Sequence, residues 1–235
     1  MEWLAVKALL LEEGGASVQG AGIEGYIGRS TAGPSARGRG SVFFTNGKQR
    51  VRLAIQPESP LRLLHRGGGE AVLRKGDREI RGRLEEVALH CPRQAYITVS
   101  ERCIFRCRYC QVPLQPGRVK TAEEVRSLVE SVADRIDAIS LTSGVADSVA
   151  GEERRVLDAM REVRRFDLPI GVSIYPTLET PVRLRDAGAD EVKFNVEAAT
   201  PPLFARMCPG LDWGEMWAVL ERSVEVFGEG RVFSN

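Results

Sequence analysis

With 235 residues, 43% of them hydrophobic and 28% charged, the chain has enough apolar side chain for a substantial core and room for a small appended domain. Lys and Arg number 33 and Asp and Glu 32, a formal charge of +1 that gives no electrostatic ground for nucleic acid or an anionic membrane as partner. Five cysteines, with Cys103, Cys107 and Cys110 close together, do not make a disulfide framework for a chain this long; metal ligation in a reducing compartment fits better.

The opening apolar run, Trp3 to Leu11, is interrupted by Lys7 and followed by Glu12-Glu13. It has no basic leader or small-residue cleavage site and is too short to span a bilayer, so the expected location is the cytoplasm. Over residues 1–92 the pattern predicts a small β-rich domain, with extended runs at Ala5 to Leu11, Ile23 to Ile27, Ser41 to Thr45, Arg50 to Ile55, Ala71 to Arg74 and Glu79 to Leu84. Lys75-Gly76-Asp77 is a hairpin signal, because glycine supplies the positive φ a tight turn needs. Ser30 to Gly40, rich in Gly and Arg, reads as a mobile connection, with phosphate binding as the weaker alternative.

Residues 93–235 alternate strand and helix. Strands are expected at Ala95 to Ser100, Ala138 to Thr142, Ile170 to Tyr175, Glu191 to Val196 and, beginning at Arg231, a fifth. Helices are expected from the Thr121 capping spacing to about Ala133, from Glu152 to Phe166, from Val182 to Ala187 and from Trp213 to Phe227. Such a chain is α/β, a parallel sheet with right-handed crossovers, either open or a curved barrel segment. Both place chemistry at the carboxyl ends of the strands, where the cysteine loop leaves the first one.

The run Cys103-Ile-Phe-Arg-Cys107-Arg-Tyr109-Cys110 can hold three irons of a [4Fe-4S] cube and leave the fourth without a protein ligand. The alternative is a zinc site, which in a closed structural role wants four ligands at paired spacings; Cys91, Cys208, His65 and His90 are the residues available to complete one. Cys91 and Cys208 otherwise read as a linker residue and a buried helix-loop residue. Cys-x3-Cys-x2-Cys after such a strand, with Tyr109 before the third cysteine, resembles the radical S-adenosylmethionine (SAM) superfamily.

That resemblance implies a partial TIM-like (β/α) barrel of about five parallel strands. It also implies a [4Fe-4S] cluster on Cys103, Cys107 and Cys110, with SAM chelated to the open iron. Reductive cleavage of SAM then yields a 5′-deoxyadenosyl radical that abstracts hydrogen from a substrate, small molecule or protein, under oxygen-sensitive conditions. By the same resemblance Tyr109 lies against the adenine and Thr142-Ser143-Gly144 meets the SAM amino group. Asn195 and Glu197, which strand alternation places on one face, contact the ribose and methionine end; Arg206 reaches the SAM carboxylate, and Ser173 is a further contact. Rival readings are a strand-end turn for 142–144 and a salt bridge of Glu197 with Lys193 or Arg206.

The segment from Asn195 to Gly210 looks like the biotin synthase and hydrogenase-maturation branch. Ser140, Ser173 and Phe233 stand where biotin synthase has cysteines for a second cluster, which disfavours sulfur insertion. The cysteine triplet of lipoyl synthase is also missing before Cys103. Family barrels continue through a sixth strand, whereas this sequence ends inside the fifth, so the expected alternatives are an enzyme with an open-sided cavity or a non-catalytic iron-sulfur carrier or assembly partner. The implied partner is an electron donor such as ferredoxin or flavodoxin, for which Arg106 and Arg108 on the cysteine loop are candidate contacts beside the reading that they are merely solvated. No residue is identified as a substrate base or hydrogen donor.

Overall fold

The first apolar run is helical rather than extended: α1 spans Trp3–Glu13 in the computed structural model, which describes residues 3–28, 40–46, 49–85 and 93–234. Leu, Ala, Lys and Glu are strong helix formers, and Val6 is the one β-branched residue of the run. Gly14, at φ 66°, ends the helix by donating its N–H to Leu10 O at 3.1 Å. The Gly/Arg stretch up to residue 39, His90 and Cys91 lie outside the described residues.

Six strands follow: β1 (Gly15–Gln19), β2 (Ser41–Asn46), β3 (Gln49–Ile55), β4 (Arg62–Gly67), β5 (Glu70–Lys75) and β6 (Arg78–Leu84). They close into a barrel in the order β1-β3-β2-β6-β5-β4, with β1 parallel to both neighbours and the other pairs antiparallel. Among the described residues closure leaves this sheet without an open edge. Gly76, at φ 55°, turns β5 into β6 with Lys75 paired to Arg78. Ile23–Tyr26, expected to be extended, is a 3-10 turn. Leu10, Phe44, Leu53, Leu63 and Leu73 are fully buried in the barrel core. His65 is engaged there: Nδ1 faces Ala21 O at 2.9 Å while Nε2 accepts from Gly69 N at 3.3 Å. This barrel is one of two compact units; the other runs over 93–234.

In the second unit β7 (Gln94–Thr98), β8 (Ala138–Thr142), β9 (Ile170–Ser173), β10 (Glu191–Lys193) and β11 (Val232–Phe233) form a five-stranded, all-parallel sheet in chain order. The helices are α2 (Ala122–Glu130), α3 (Val149–Val163), α4 (Thr180–Asp186), α5 (Pro201–Met207) and α6 (Trp213–Phe227). Thr121 and Glu124 make the expected reciprocal capping box on α2. Ala95, Ile97, Ile139, Leu141, Ile170, Val172 and Val192 are buried, while Tyr96, Ser140, Gly171, Ser173, Glu191 and Lys193 alternate with them and line a cavity that Leu141, Val172 and Val192 also border.

Two adjacent acids on α3 are buried because each is fully engaged. Glu152 accepts from Ser100 Oγ and Ser143 Oγ at 2.6 Å each, from Ala146 N at 3.2 Å and from Arg155 Nη1 at 3.0 Å. Glu153 accepts from Thr180 Oγ1 and Arg183 Nη1, both at 2.6 Å. One carboxylate therefore anchors the loop after β8, the other the start of α4.

Candidate functional site

The loop after β7 passes along a cavity, its side chains alternating up to a turn in which Cys110 N donates to Cys107 O at 3.0 Å. Cys103, Phe105, Cys107 and Tyr109 line the cavity; Arg102, Ile104, Arg106 and Arg108 are exposed. The loop is closed at its base, where Ser100 bridges Val119, Glu101 N donates to Arg118 O at 2.9 Å, and Arg102 Nε donates to Gly117 O at 2.6 Å. Gly117 is required there, because a Cβ would stand 1.7 Å from Glu101 O.

Two further backbone bonds seat the loop among the strand ends: Ile104 N to Val145 O and Arg108 N to Met207 O, each 2.8 Å. Phe105 packs on Tyr175 with ring centroids 4.5 Å apart. Gly144 lets the β8 loop pass beneath, since a Cβ would meet Arg102 O at 2.2 Å and Cys103 Cβ at 3.2 Å.

Of the residues singled out from the sequence, Cys103, Cys107, Tyr109, Cys110, Thr142, Ser143, Gly144, Ser173, Asn195 and Glu197 all line this one cavity. Arg206 does not. It is exposed, because the same short helix turns Phe204 and Cys208 inward and so sends the intervening arginine to solvent. Neither expected salt bridge of Glu197 forms among the described residues; its carboxylate instead lies near the Tyr109 hydroxyl. Glu197 holds φ at 62°, a left-handed conformation that β-carbon sterics disfavour, which turns its side chain toward Tyr109. Asn195 Oδ1 is buried and has no hydrogen-bond partner among the described residues.

Phe105, Tyr175 and Met216, which the sequence does not single out, also line the cavity, as do Lys193, expected only as an ion-pair partner of Glu197, and Cys208, expected only as a zinc ligand or a helix-loop residue. Parity held the signal for two of them: Lys193 lies two residues before Asn195, and Tyr175 two after Ser173. Cys208, read as a helix-loop residue, is only 1% exposed and lies beside Cys107, a placement set by the Arg108 to Met207 backbone bond.

Burial pushes the Cys107 thiol up to about 12, with Cys208 next to it adding to the effect. Burial likewise raises Cys208, against the neighbouring Cys107 and Tyr109, which lower it. Tyr109 is raised strongly by burial and then by the Glu197 charge, and Tyr175 by burial and then by Glu215 and Asp212. A neutral Cys107 releases its proton when a metal cation takes the sulfur. Among the described residues no three His, Cys, Asp or Glu side chains gather closely enough for a single metal ion. Three thiols spread along one cavity wall, with small polar strand ends and an orphaned amide oxygen opposite, fit a cube with an attached polar ligand.

A family model described as the radical SAM superfamily matches residues 97–234. The chain belongs to that superfamily, whose cofactors are a [4Fe-4S] cluster and S-adenosylmethionine. Similar solved structures include HydG, a maturase of the [FeFe]-hydrogenase, with a TM-score of 0.53 and 23% identity over 60% of this chain and 34% of that one. Methylornithine synthase (PylB) gives 0.50 and 18% identity, covering 56% of this chain and 41% of that one. HydG from Carboxydothermus hydrogenoformans gives 0.50 and 18%, covering 60% and 35%.

The expected likeness to the hydrogenase-maturation branch is met at the level of fold, and the chain spans from 34% to 41% of the length of these structures. The curated proteins include no match. Among the described residues no helix is long and apolar enough to cross a membrane.

Proposed function

We infer that this protein catalyses a radical SAM reaction, with Cys103, Cys107 and Cys110 as the cluster ligands and the β8, β9 and β10 strand ends as the SAM cradle. The carrying observation is that three thiols of one loop line a single cavity together with Thr142, Ser143, Gly144, Ser173, Asn195 and Glu197. When bound, the cluster and SAM supply reductive carbon-sulfur cleavage and a carbon radical that abstracts hydrogen.

The chain's own residues orient and shield. Glu152 fixes the Ser143 hydroxyl, so the Thr142-Ser143-Gly144 backbone is already set to receive the amino end of SAM. Asn195 offers its unpartnered Oδ1 to a ribose hydroxyl, and Glu197 exchanges its Tyr109 contact for another. Phe105, Tyr175 and Met216 exclude water from that side of the cavity. Arg102, Arg106 and Arg108 on the outer side of the loop suit an acidic electron donor such as ferredoxin or flavodoxin.

The test is anaerobic reconstitution followed by SAM addition under dithionite. Release of 5′-deoxyadenosine and a SAM-dependent change in the reduced cluster's magnetic resonance signal are expected. A reducible cluster whose spectrum ignores SAM, with no 5′-deoxyadenosine formed, would instead identify an iron-sulfur carrier.

A further inference from the structure

A second cavity, about 350 Å³, adjoins the thiol cavity and shares Ser173 and Lys193 with it. It lies along the parallel sheet, bordered by residues of β7, β8, β9, β10 and β11. Two of its wall residues, Glu191 and Lys193, come from the same strand with the same parity. Both are half-buried, and among the described residues neither side chain has a hydrogen-bond or ion-pair partner, not even the other.

Opposite charges held half out of water without partners cost free energy until something meets them. Gly171, on the adjacent strand, keeps the space beside them open: a Cβ there would stand 3.0 Å from Glu191 Oε1 and 3.4 Å from Ser140 Oγ. Tyr96 and Phe233 add apolar surface to the same cavity.

We propose that this cavity is the substrate site, and that the substrate is a small zwitterion whose ammonium group meets Glu191 and whose carboxylate meets Lys193. The assignment rests on the radical SAM reading and deepens it. Two residues of strand advance the charges by about 6.6 Å, so a molecule with its ends about 5–9 Å apart spans them. Tyr96 and Phe233 cover its carbon body. Lys193 belongs to both cavities, so the carboxylate end is the one directed toward the cluster loop, and the hydrogen abstracted lies on the carbon chain near that end.

The experiment measures binding to the reconstituted full chain by calorimetry, without turnover. The probes are 4-aminobutanoate, 5-aminopentanoate and 6-aminohexanoate, with pentanoate and pentylamine as single-charge controls. At least one amino acid of the series is expected to bind about tenfold or more tightly than either control, and Glu191→Gln and Lys193→Met each to reduce that affinity about tenfold, equivalent to about 1.4 kcal/mol.

A second readout avoids variants altogether: in the unsubstituted protein the bound amino acid should slow amine-selective labelling of Lys193, followed by mass spectrometry, while pentylamine should not. The proposal is overturned if no amino acid of the series outbinds the controls, if both variants bind like the parent, or if labelling is indifferent to the probe. SAM cleavage without probe binding would sink the substrate assignment alone; probe binding without SAM cleavage would sink the radical reading and leave a zwitterion site.

Discussion

The Glu152 carboxylate holds the Ser143 hydroxyl at 2.6 Å, tying the loop after β8 to the first turn of α3 from beneath the cavity floor. The same oxygen takes the Ser100 hydroxyl, and the other takes Ala146 N and Arg155. In Glu152→Gln an amide NH₂ must face either two hydroxyls or a backbone N–H and a guanidinium. The two hydroxyls can turn to accept from the amide, but the charge opposite Arg155 is lost, at a cost of about 1.5–3 kcal/mol. The expected variant melts earlier than the parent, keeps its iron because the cysteines are untouched, and binds SAM more weakly. Iron content and SAM affinity measured on the same sample separate a loop effect from general unfolding.

Cysteine substitutions should sort into two groups. Alanine at 103, 107 or 110 removes a thiol from the outer wall of the cavity and should abolish iron loading and the visible charge-transfer absorbance. Cys208→Ser should retain both, because Cys208 belongs to the α5 side of the cavity and stands outside the loop that carries the other three thiols. Loss of iron in Cys208→Ser would mean that four thiols hold the cluster and that no iron is left open for SAM.

The second unit was far more legible in sequence than the first, and particular residues explain why. Strand β8 and helix α6 were read with their observed bounds because each carries strong periodicity, Ile139 and Leu141 inward in one, Met216, Val219, Leu220, Ser223 and Phe227 in the other. Helix α1 was misread because its apolar residues show no alternation to separate helix from strand; composition, rich in Leu and Ala, held the answer. Strands β1 and β4 escaped notice because Gly15-Ala16 and the Leu63-Leu64 pair break a two-residue pattern. Helix α5 has only seven residues, and its one strong mark is the pair of prolines at its start. The site was legible where polar residues fell at strand ends. Cys208 was not, because it reaches the cavity through a backbone bond between distant segments.

Gly117→Ala should show how much the cysteine loop depends on its closed base. The added carbon would stand 1.7 Å from Glu101 O and 2.4 Å from Glu101 C, both backbone atoms that no rotamer change can move. Relief requires opening the Ser100 to Val119 bridge, so a penalty of about 1–3 kcal/mol is expected together with poorer iron loading. Proteolytic nicking between residues 101 and 118 should increase in the cluster-free variant. An unchanged digestion pattern and full iron content would show that the loop holds its shape without that clasp.

The Asp147 to Arg155 pair gives a pH-dependent test at the mouth of the same network. Arg155 donates to both Asp147 and Glu152, so it links an exposed carboxylate to the buried one that sets the β8 loop. The guanidinium holds the Asp147 carboxyl below its ordinary 3.8, aided by the Ser148 backbone N–H against a smaller opposing effect of burial. A depressed native value means the pair stabilises the fold above the ordinary value and loses that contribution as pH falls through the native one. Asp147→Asn should therefore melt below the parent near neutrality, and the two melting curves should converge as the pH is taken below about 3.8. Because the carboxylate is exposed, added salt should shrink the neutral-pH difference as well. A gap between parent and variant that persists unchanged into acid would show that the asparagine acts through the Ser148 cap of α3 instead of through charge.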